Sequence, residues 1–549
     1  MLNDQKRYER GLCWLMAAIA ALFVVSFAVM NFRGFARFGT GDIYEDVLLM
    51  QRIWNEKTLV PEGWRFSNQL YVLATPTLAA VLYGITGSVN FSCALATTIM
   101  GALCIASFIY LLRPIAGKAG IAAGVAVLTA YVYNENAANL AADTDPLVTR
   151  ISDLGQLLFT TVSHYSTYFI ALCLLWGWYL RRAFLHRRDR SVKLAFAVSL
   201  VLSFTTGMQS LRQLQIALLP LLGVEVLRLL AASRWFHKKP EKEDWQIAGQ
   251  TLLFNLVNMA GVAVFYAITP LGGLSSVAIG QEDLKRKVIG VYAAAKSAAN
   301  LRKPSQWEPG TAPLQLFYFA FAVLVALFIL WALTRVPSGM GESAACCGLF
   351  TASLLLTVIS MLLTSVGSVS RYLFLYWPLL AVAAAWLMER LPGKGKIALG
   401  LAITLFAGLN FWFSYKPLVT SCFDEEPLPQ AQAARWLEDN GFDTVYGQFW
   451  TVGPIGLASD GAVQGGHWVF SNFYEISPYL TAEDLYTEEA NETAAYVFME
   501  QDRDRAVAAA EEAGTPLEFQ TEIADTYYIY TCPEQLMHHT EDAGRDSGY

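Results

Sequence analysis

Charge is scarce in this chain: 15% of its 549 residues are Asp, Glu, Lys or Arg, against 55% that are apolar. Water-soluble domains rarely reach that balance, and a chain so poor in basic residues has no polyelectrolyte surface for nucleic acid. No CxxC pair or Cys/His spacing for structural zinc occurs, and no P-loop, GxSxG or GxGxxG stands in a sensible context. Those absences remove the usual signatures of zinc modules, NTPases, hydrolases and dinucleotide enzymes. Lysine is missing altogether from residues 421–549, where 25 acidic residues stand beside four arginines. So abrupt a change in composition marks a separate soluble domain.

What the rest of the chain has is long apolar runs. LCWLMAAIAALFVVSFAVM (12–30), LQLFYFAFAVLVALFILWAL (314–333) and KIALGLAITLFAGLNFWF (396–413) can each cross a hydrocarbon core of about 30 Å at about 1.5 Å per residue. The first is too long for a signal-peptide core and lacks a small-residue cleavage site, so it reads as a retained span. Lys and Arg favour the cytoplasmic ends of spans. Four loops are basic: Lys6, Arg7 and Arg10; Arg181, Arg182, Arg187, Arg188 and Arg190; Arg234, Lys238 and Lys239; Arg390, Lys394 and Lys396. With these inside, spans thread at 11–31, 92–112, 117–133, 165–180, 191–206, 209–230, 249–269, 313–334, 345–366, 371–389 and 396–414.

Parity then requires the apolar stretch 69–87 not to cross, as a re-entrant or surface-lying helix broken near Pro76. An ordinary span there, with another lost elsewhere, is the alternative. The expected fold is an all-α polytopic membrane protein of about 11 transmembrane helices plus that re-entrant or juxtamembrane helix (1–419), followed by a small C-terminal α/β domain (420–549). The N-terminus is expected in the cytoplasm and the C-terminal domain outside a plasma membrane. In that domain the pattern predicts helix (PQAQAARWLEDNG), strand (TVYGQFW), short helix (VGPIGLASDG), strand (AAYVFME), helix (DRDRAVAAAEEAG) and paired strands (LEFQTEIA, TYYIYTC), with Gly stops after helices.

The first outer loop (32–68) opens with GTGDIYEDVLLMQRIW, which puts Asp42, Glu45 and Asp46 within five positions. In a helix these share one face at i, i+3 and i+4, with Val47, Met50 and Trp54 on the other. One reading is an amphipathic surface helix with Asp42 as N-cap and Glu45 completing a capping box. The other is that Asp42 binds or deprotonates a substrate group at the lipid boundary, where burial and neighbouring carboxylates raise the pKa of an acid towards that of a useful base.

The order of parts resembles the GT-C glycosyltransferases, among them the protein O-mannosyltransferases and lipid A aminoarabinose transferases. It comprises a first span ending in an acid-bearing loop, a Pro-containing apolar helix, the basic turn LLRPIAGKAG, a second acidic loop (134–164) and a C-terminal domain. The stretch GDIYEDVLLMQRIWNEKTLVPEGWRFSNQL further resembles the first outer loop of bacterial members. The resemblance implies transfer of a sugar from a polyprenyl phosphate or diphosphate donor to a glycan, lipid or protein acceptor on the outer face, usually with inversion. It assigns Asp42 the role of base or acceptor binder, and Glu45 and Asp46 a share in it. Many members carry two acids at the very start of the loop, whereas Thr40 and Gly41 precede Asp42 here. No cofactor is certain; a divalent metal, Mg or Mn, would fall to Asp42 and Glu45.

The second outer loop adds Glu135, Asp143, Asp145, Asp153 and His164. In the family this loop often supplies an acid or His, although Asp145 in TDP also reads as a plain Asp-Pro turn. The third (271–312) holds Lys285, Arg286, Lys287, Lys296, Arg302 and Lys303, against the usual charge bias. An amphipathic helix there either rests on anionic headgroups or clamps the donor phosphate. Arg212 and Arg371, at outer span ends, add to the clamp or snorkel. A transporter or lipid flippase, or a membrane-anchored ligand-binding protein, are the competing classes. Ionisable residues clustered at span ends and no visible inverted repeat speak against carriage.

Of eight cysteines, Cys13, Cys93, Cys104, Cys173, Cys346 and Cys347 lie in predicted spans, as small apolar residues. Cys422 and Cys532 bracket the C-terminal domain. A disulfide between them is expected, closing a loop of about 110 residues for roughly 4 to 5 kcal/mol as an upper guide; two free thiols are the alternative.

Overall fold

The computed structural model describes residues 2–66, 70–131, 158–160, 165–235, 240–268, 284–302, 312–336, 340–364, 369–468, 472–477 and 480–538. In chain order the helices begin with α1 (Leu2–Gly34), α2 (Gly41–Glu56), α3 (Thr75–Thr86), α4 (Val89–Leu112) and α5 (Lys118–Ala130). They continue with α6 (Ser166–Ala183), α7 (Arg190–Gln209), α8 (Leu219–Trp235), α9 (Lys242–Ile268) and α10 (Leu284–Ala298). A π-helical turn, Leu214–Leu218, leads into α8. Then come α11 (Ala312–Arg335), α12 (Glu342–Leu363), α13 (Tyr376–Arg390) and α14 (Gly393–Asn410), which runs on through a π turn into α15 (Lys416–Ser421).

Helices stand at every position where the apolar runs put a span. Among the described residues, eight helical segments are long and apolar enough to cross a membrane by length and composition. The shortest helix at a predicted span position, α5 at 13 residues, is buried along most of its length against α1 and α13. Aromatic residues fill the middle of the bundle: Phe27 stacks on Phe159 at 4.8 Å, and Tyr131 on Trp377 at 6.1 Å. One end is tied by ion pairs from the basic loop, Arg182–Glu243 at 2.6 Å and Arg188–Glu243 at 3.0 Å. Within the bundle Arg228 holds both Glu225 and Asp244 at 2.8 Å.

Helix α3 has 12 residues, about 18 Å at 1.5 Å per residue, and packs on α2 and α4. It occupies the apolar stretch 69–87 and is shorter than a hydrocarbon core of about 30 Å, but Pro76 starts the helix rather than breaking it, because a first-turn proline loses no hydrogen bond.

After α15 the chain forms α16 (Pro429–Asp439), β2 (Thr444–Gln448), α17 (Phe449–Ala458), β3 (Gln464–Trp468), α18 (Glu488–Glu492), β5 (Ala494–Met499), α19 (Glu500–Glu512), β6 (Glu518–Ile523) and β7 (Tyr527–Thr531). The five-stranded sheet has the order β3-β2-β5-β7-β6. The first three strands run parallel, and β7 runs antiparallel to both of its neighbours, β5 and β6. Alternation along the strands sorts its faces: Val445, Val497 and Ile529 pack under α16 and α17, whereas Tyr446, Tyr496, Phe498 and Tyr530 face the other way. That second face shares one hydrophobic core with Tyr44, Val47 and Met50 of α2 and with Ala79 and Ala80 of α3. A two-residue ladder joins the halves again, β1 (Trp64–Arg65) pairing with β4 (Thr481–Ala482).

The expected disulfide is not formed: Cys422 and Cys532 are both free. Cys422 follows α15 and turns into the bundle, its thiol donating to Leu418 O at 3.2 Å. Cys532 ends β7 and packs into the core that the sheet shares with α2. The two cysteines belong to different cores.

Candidate functional site

Helix α2 begins at Gly41, so the N-cap is Thr40, in extended conformation and without a side-chain cap, and Asp42 falls in the first turn. The expected capping box is therefore absent. Nor is α2 an amphipathic surface helix, since every residue from Ile43 to Gln51 is buried. The acids and the set Val47, Met50 and Trp54 do not divide into wet and dry faces, because α3 and α4 cover one side and the C-terminal domain covers the other.

Burial sorts the three carboxylates. Asp42 is half-buried, whereas Glu45 and Asp46 are 7% and 5% exposed. Burial, and then the nearby charges of Asp42 and Asp46, hold the Glu45 pKa well above the ordinary carboxylate range. Burial pushes Asp46 up to about 8, against a hydrogen bond from Tyr71 that favours its ionised form. Among the described residues nothing hydrogen-bonds Glu45 Oε1, and a buried oxygen left so is costly unless a substrate meets it.

From Asp46 a series of side chains leads towards the arginines, by a hydrogen bond, electrostatic reach and ring faces. Tyr71, hydrogen-bonded to Asp46, lies within electrostatic reach of Tyr168. The Tyr168 hydroxyl is 2.8 Å from Ser210 Oγ. Arg212 stands over the rings of Tyr165, Tyr168 and Tyr372, at 4.5, 5.6 and 5.8 Å from their centroids. Arg371 lies 6.0 Å from the Tyr372 centroid, on a short 3-10 turn (Ser370–Leu373) against which α10 packs. The structure thus joins Glu45, Asp46, Arg212 and Arg371 through four tyrosines that sequence reasoning missed. Scattered tyrosines carry no spacing signal; only the fold gathers them.

Lys285 and Arg286 are exposed on α10 beside exposed Leu284, Val288 and Ile289, whereas Lys287 is 6% exposed. Lys287 Nζ donates to Thr364 O at 2.7 Å, capping the C-terminus of α12. The three basic neighbours therefore do not act as one patch. Asp153 and His164 lie outside the described residues, as do Glu135, Asp143 and Asp145. Among the described residues no group of three or more His, Cys, Asp or Glu is placed to hold a metal ion.

The C-terminal domain grips α2 and its surroundings. Arg52 pairs with Asp484 and donates to Gln464 Oε1 at 3.3 Å, Arg65 pairs with Glu483 at 3.1 Å, and Asn90 Nδ2 donates to Leu457 O at 2.8 Å.

No sequence-family model matches the chain, and no curated protein matches it in sequence. Solved structures do match in fold. ArnT from Cupriavidus metallidurans bound to undecaprenyl phosphate aligns with a TM-score of 0.54 at 10% identity, over 96% of this chain and 99% of that one. The archaeal oligosaccharyltransferase AglB from Archaeoglobus fulgidus, in complex with an inhibitory peptide and a dolichol-phosphate, aligns with a TM-score of 0.52 at 12% identity, over 95% of this chain and 74% of that one. The chain shares the overall fold of these two proteins.

Proposed function

We propose that this protein is a membrane glycosyltransferase that moves a sugar from a polyprenyl phosphate or diphosphate to an acceptor at the extracytoplasmic face, with the N-terminus cytoplasmic. The observation that carries the reading is the pair of buried acids on α2, Glu45 and Asp46, with Tyr168 in electrostatic reach of their neighbour Tyr71 and itself one wall of the aromatic cage around Arg212. Sugar transfer from a lipid phosphate needs such a pair of poles, a carboxylate for the acceptor's proton and cations for the leaving group.

In the reaction the acceptor's hydroxyl or amine attacks the anomeric carbon, the bond from that carbon to the phosphate oxygen breaks, and the lipid phosphate leaves with the electron pair. Asp42, the half-buried member of the trio, takes the acceptor's proton. Glu45 and Asp46, held neutral by burial near pH 7, orient the acceptor by hydrogen bonds, and the open Glu45 Oε1 takes one of them. Arg212 and Arg371 balance the phosphate charge, with Lys285 and Arg286 guiding the headgroup. The aromatic packing of the bundle interior favours transfer over carriage, which needs a polar path through the spans.

The test is incubation of the purified full-length protein with a panel of polyprenyl-linked sugars and acceptors, following release of lipid phosphate. Transport of a labelled lipid sugar into vesicles, with no phosphate released from any donor, would overturn the reading.

A further inference from the structure

One side chain on the acid-bearing helix faces away from the acids and into the C-terminal domain. Tyr44, two residues after Asp42, is 3% exposed. Its ring lies in a cradle of glycines: a Cβ on Gly453 would meet Tyr44 Cβ at 3.1 Å, one on Gly465 would meet the ring at 3.3 Å, and one on Gly456 would overlap it. At Gly456 the ring itself leaves no room for a larger residue, while at Gly453 and Gly465 the first obstacles are Gly41 Cα at 2.7 Å and Val452 Cβ at 2.9 Å, with Tyr44 just behind them.

The hydroxyl is used as well. Strand β3 is an edge of the sheet, and edge strands carry backbone N–H groups without a strand partner. Gly465 N donates to Tyr44 Oη at 2.6 Å. Two residues on, His467 N donates to Tyr486 Oη at 2.9 Å, and that hydroxyl returns a bond to His467 O at 3.0 Å. Two phenols thus stand in for a missing strand. Tyr486 belongs to the C-terminal domain, whereas Tyr44 comes from α2. Burial pushes the Tyr44 phenol up to about 12, so it stays neutral and bonded throughout the working range.

We propose that Tyr44 is a positioning residue: by closing the edge of β3 with its hydroxyl it fixes the rotation of α2, and so the placement of Asp42, which makes the C-terminal domain an obligatory half of the transferase site. The proposal rests on the glycosyltransferase reading for its kinetic arm only. Side chains at i and i+2 of a helix point about 200° apart, so the ring held in the glycine cradle keeps Asp42 turned the opposite way. Without the hydroxyl, Gly465 N–H is left buried and unpaired, which favours arrangements in which α2 has turned or lifted.

The experiment compares full-length wild type with Tyr44→Phe and Tyr486→Phe, in detergent, well below the melting temperature of each. Hydrogen exchange is read over α2 and β3, and kcat and donor KM are read from lipid-phosphate release. Tyr44→Phe is expected to speed exchange in both elements and to lower kcat about tenfold with donor KM within twofold of wild type. Tyr486→Phe, which removes the neighbouring phenol without touching α2, is expected to speed exchange in β3 alone and to leave kcat unchanged. Unaltered exchange in α2 of Tyr44→Phe, or an equal loss of kcat in both variants, would overturn the proposal. Silence of the wild type with every donor sinks the transferase reading instead, and the exchange arm still decides whether Tyr44 fixes α2.

Discussion

Gly453 and Gly41 meet backbone to backbone: a Cβ on Gly453 would stand 2.7 Å from Gly41 Cα. The acid-bearing helix and α17 therefore cross at a distance that only glycine on α17 permits. An alanine would favour an isolated helix by about 1 kcal/mol, so its effect here reports on the crossing alone. Gly453→Ala is expected to lower the apparent Tm and to open the junction to limited proteolysis near residues 425–430. A variant as resistant as wild type would show that α2 and α17 can separate at no cost.

Asp42→Asn is expected to lower turnover at least a hundredfold, the usual range for loss of a general base, with melting and membrane insertion unchanged. Glu45→Gln and Asp46→Asn keep the hydrogen-bonding capacity of groups that are neutral at pH 7 and are expected to cost less. Lipid-phosphate release measures all three, and near-normal turnover by Asp42→Asn would remove it from the role of base.

Stability should depend on pH through the buried acids. An aspartic acid whose pKa rises from an ordinary 3.8 to about 8 on folding holds a proton that the unfolded chain has already released between those values. Its contribution is complete below about pH 4, falls by about 1.4 kcal/mol per unit as pH rises, and is gone above about 8. Glu45, also shifted upwards, adds to the same slope. Apparent Tm is expected to fall between pH 5 and 8 in wild type and to fall less steeply in Asp46→Asn. Parallel profiles would contradict the burial of a neutral Asp46.

The basic residues of α10 should separate by function. Lys285→Ala with Arg286→Ala, both exposed, is expected to raise donor KM several-fold with little change in Tm. Lys287→Ala removes the bond to the Thr364 carbonyl and is expected to lower Tm by several degrees, with donor KM close to wild type. An equal rise in donor KM for both would return Lys287 to the headgroup patch.

All eight cysteines are expected to react with a thiol reagent after denaturation without reductant. A count of six by mass spectrometry would restore the Cys422–Cys532 bond.

The spans were legible because a bilayer demands about twenty apolar residues in a row, and no other constraint writes so plain a pattern. The strands around Tyr496 and Tyr528 were legible too, from alternating bulky residues between Gly stops. Strand β3, QGGHW, was not: its glycines look like a loop, and they are there because side chains from elsewhere crowd them, Val452 and Tyr44 at Gly465 and Tyr486 and Tyr446 at Gly466. The acids drew notice in the sequence, but Tyr71, Tyr165, Tyr168 and Tyr372 did not, since only packing brings them to one place. Lys287 read as part of a basic patch because direction of a side chain on a helix depends on neighbours that a single sequence does not reveal.

Tyr44 and Gly465 are 421 residues apart, and their bond has a consequence for synthesis. A ribosome adding about 5–20 residues each second takes roughly 20 to 80 seconds between them. Throughout that interval the acids of α2 are carried by a helix with one of its two walls missing. A segment made long after the first loop is the one that seats it, so a chain truncated before β3 is expected to insert its spans while leaving α2 without the partner that Gly465 supplies.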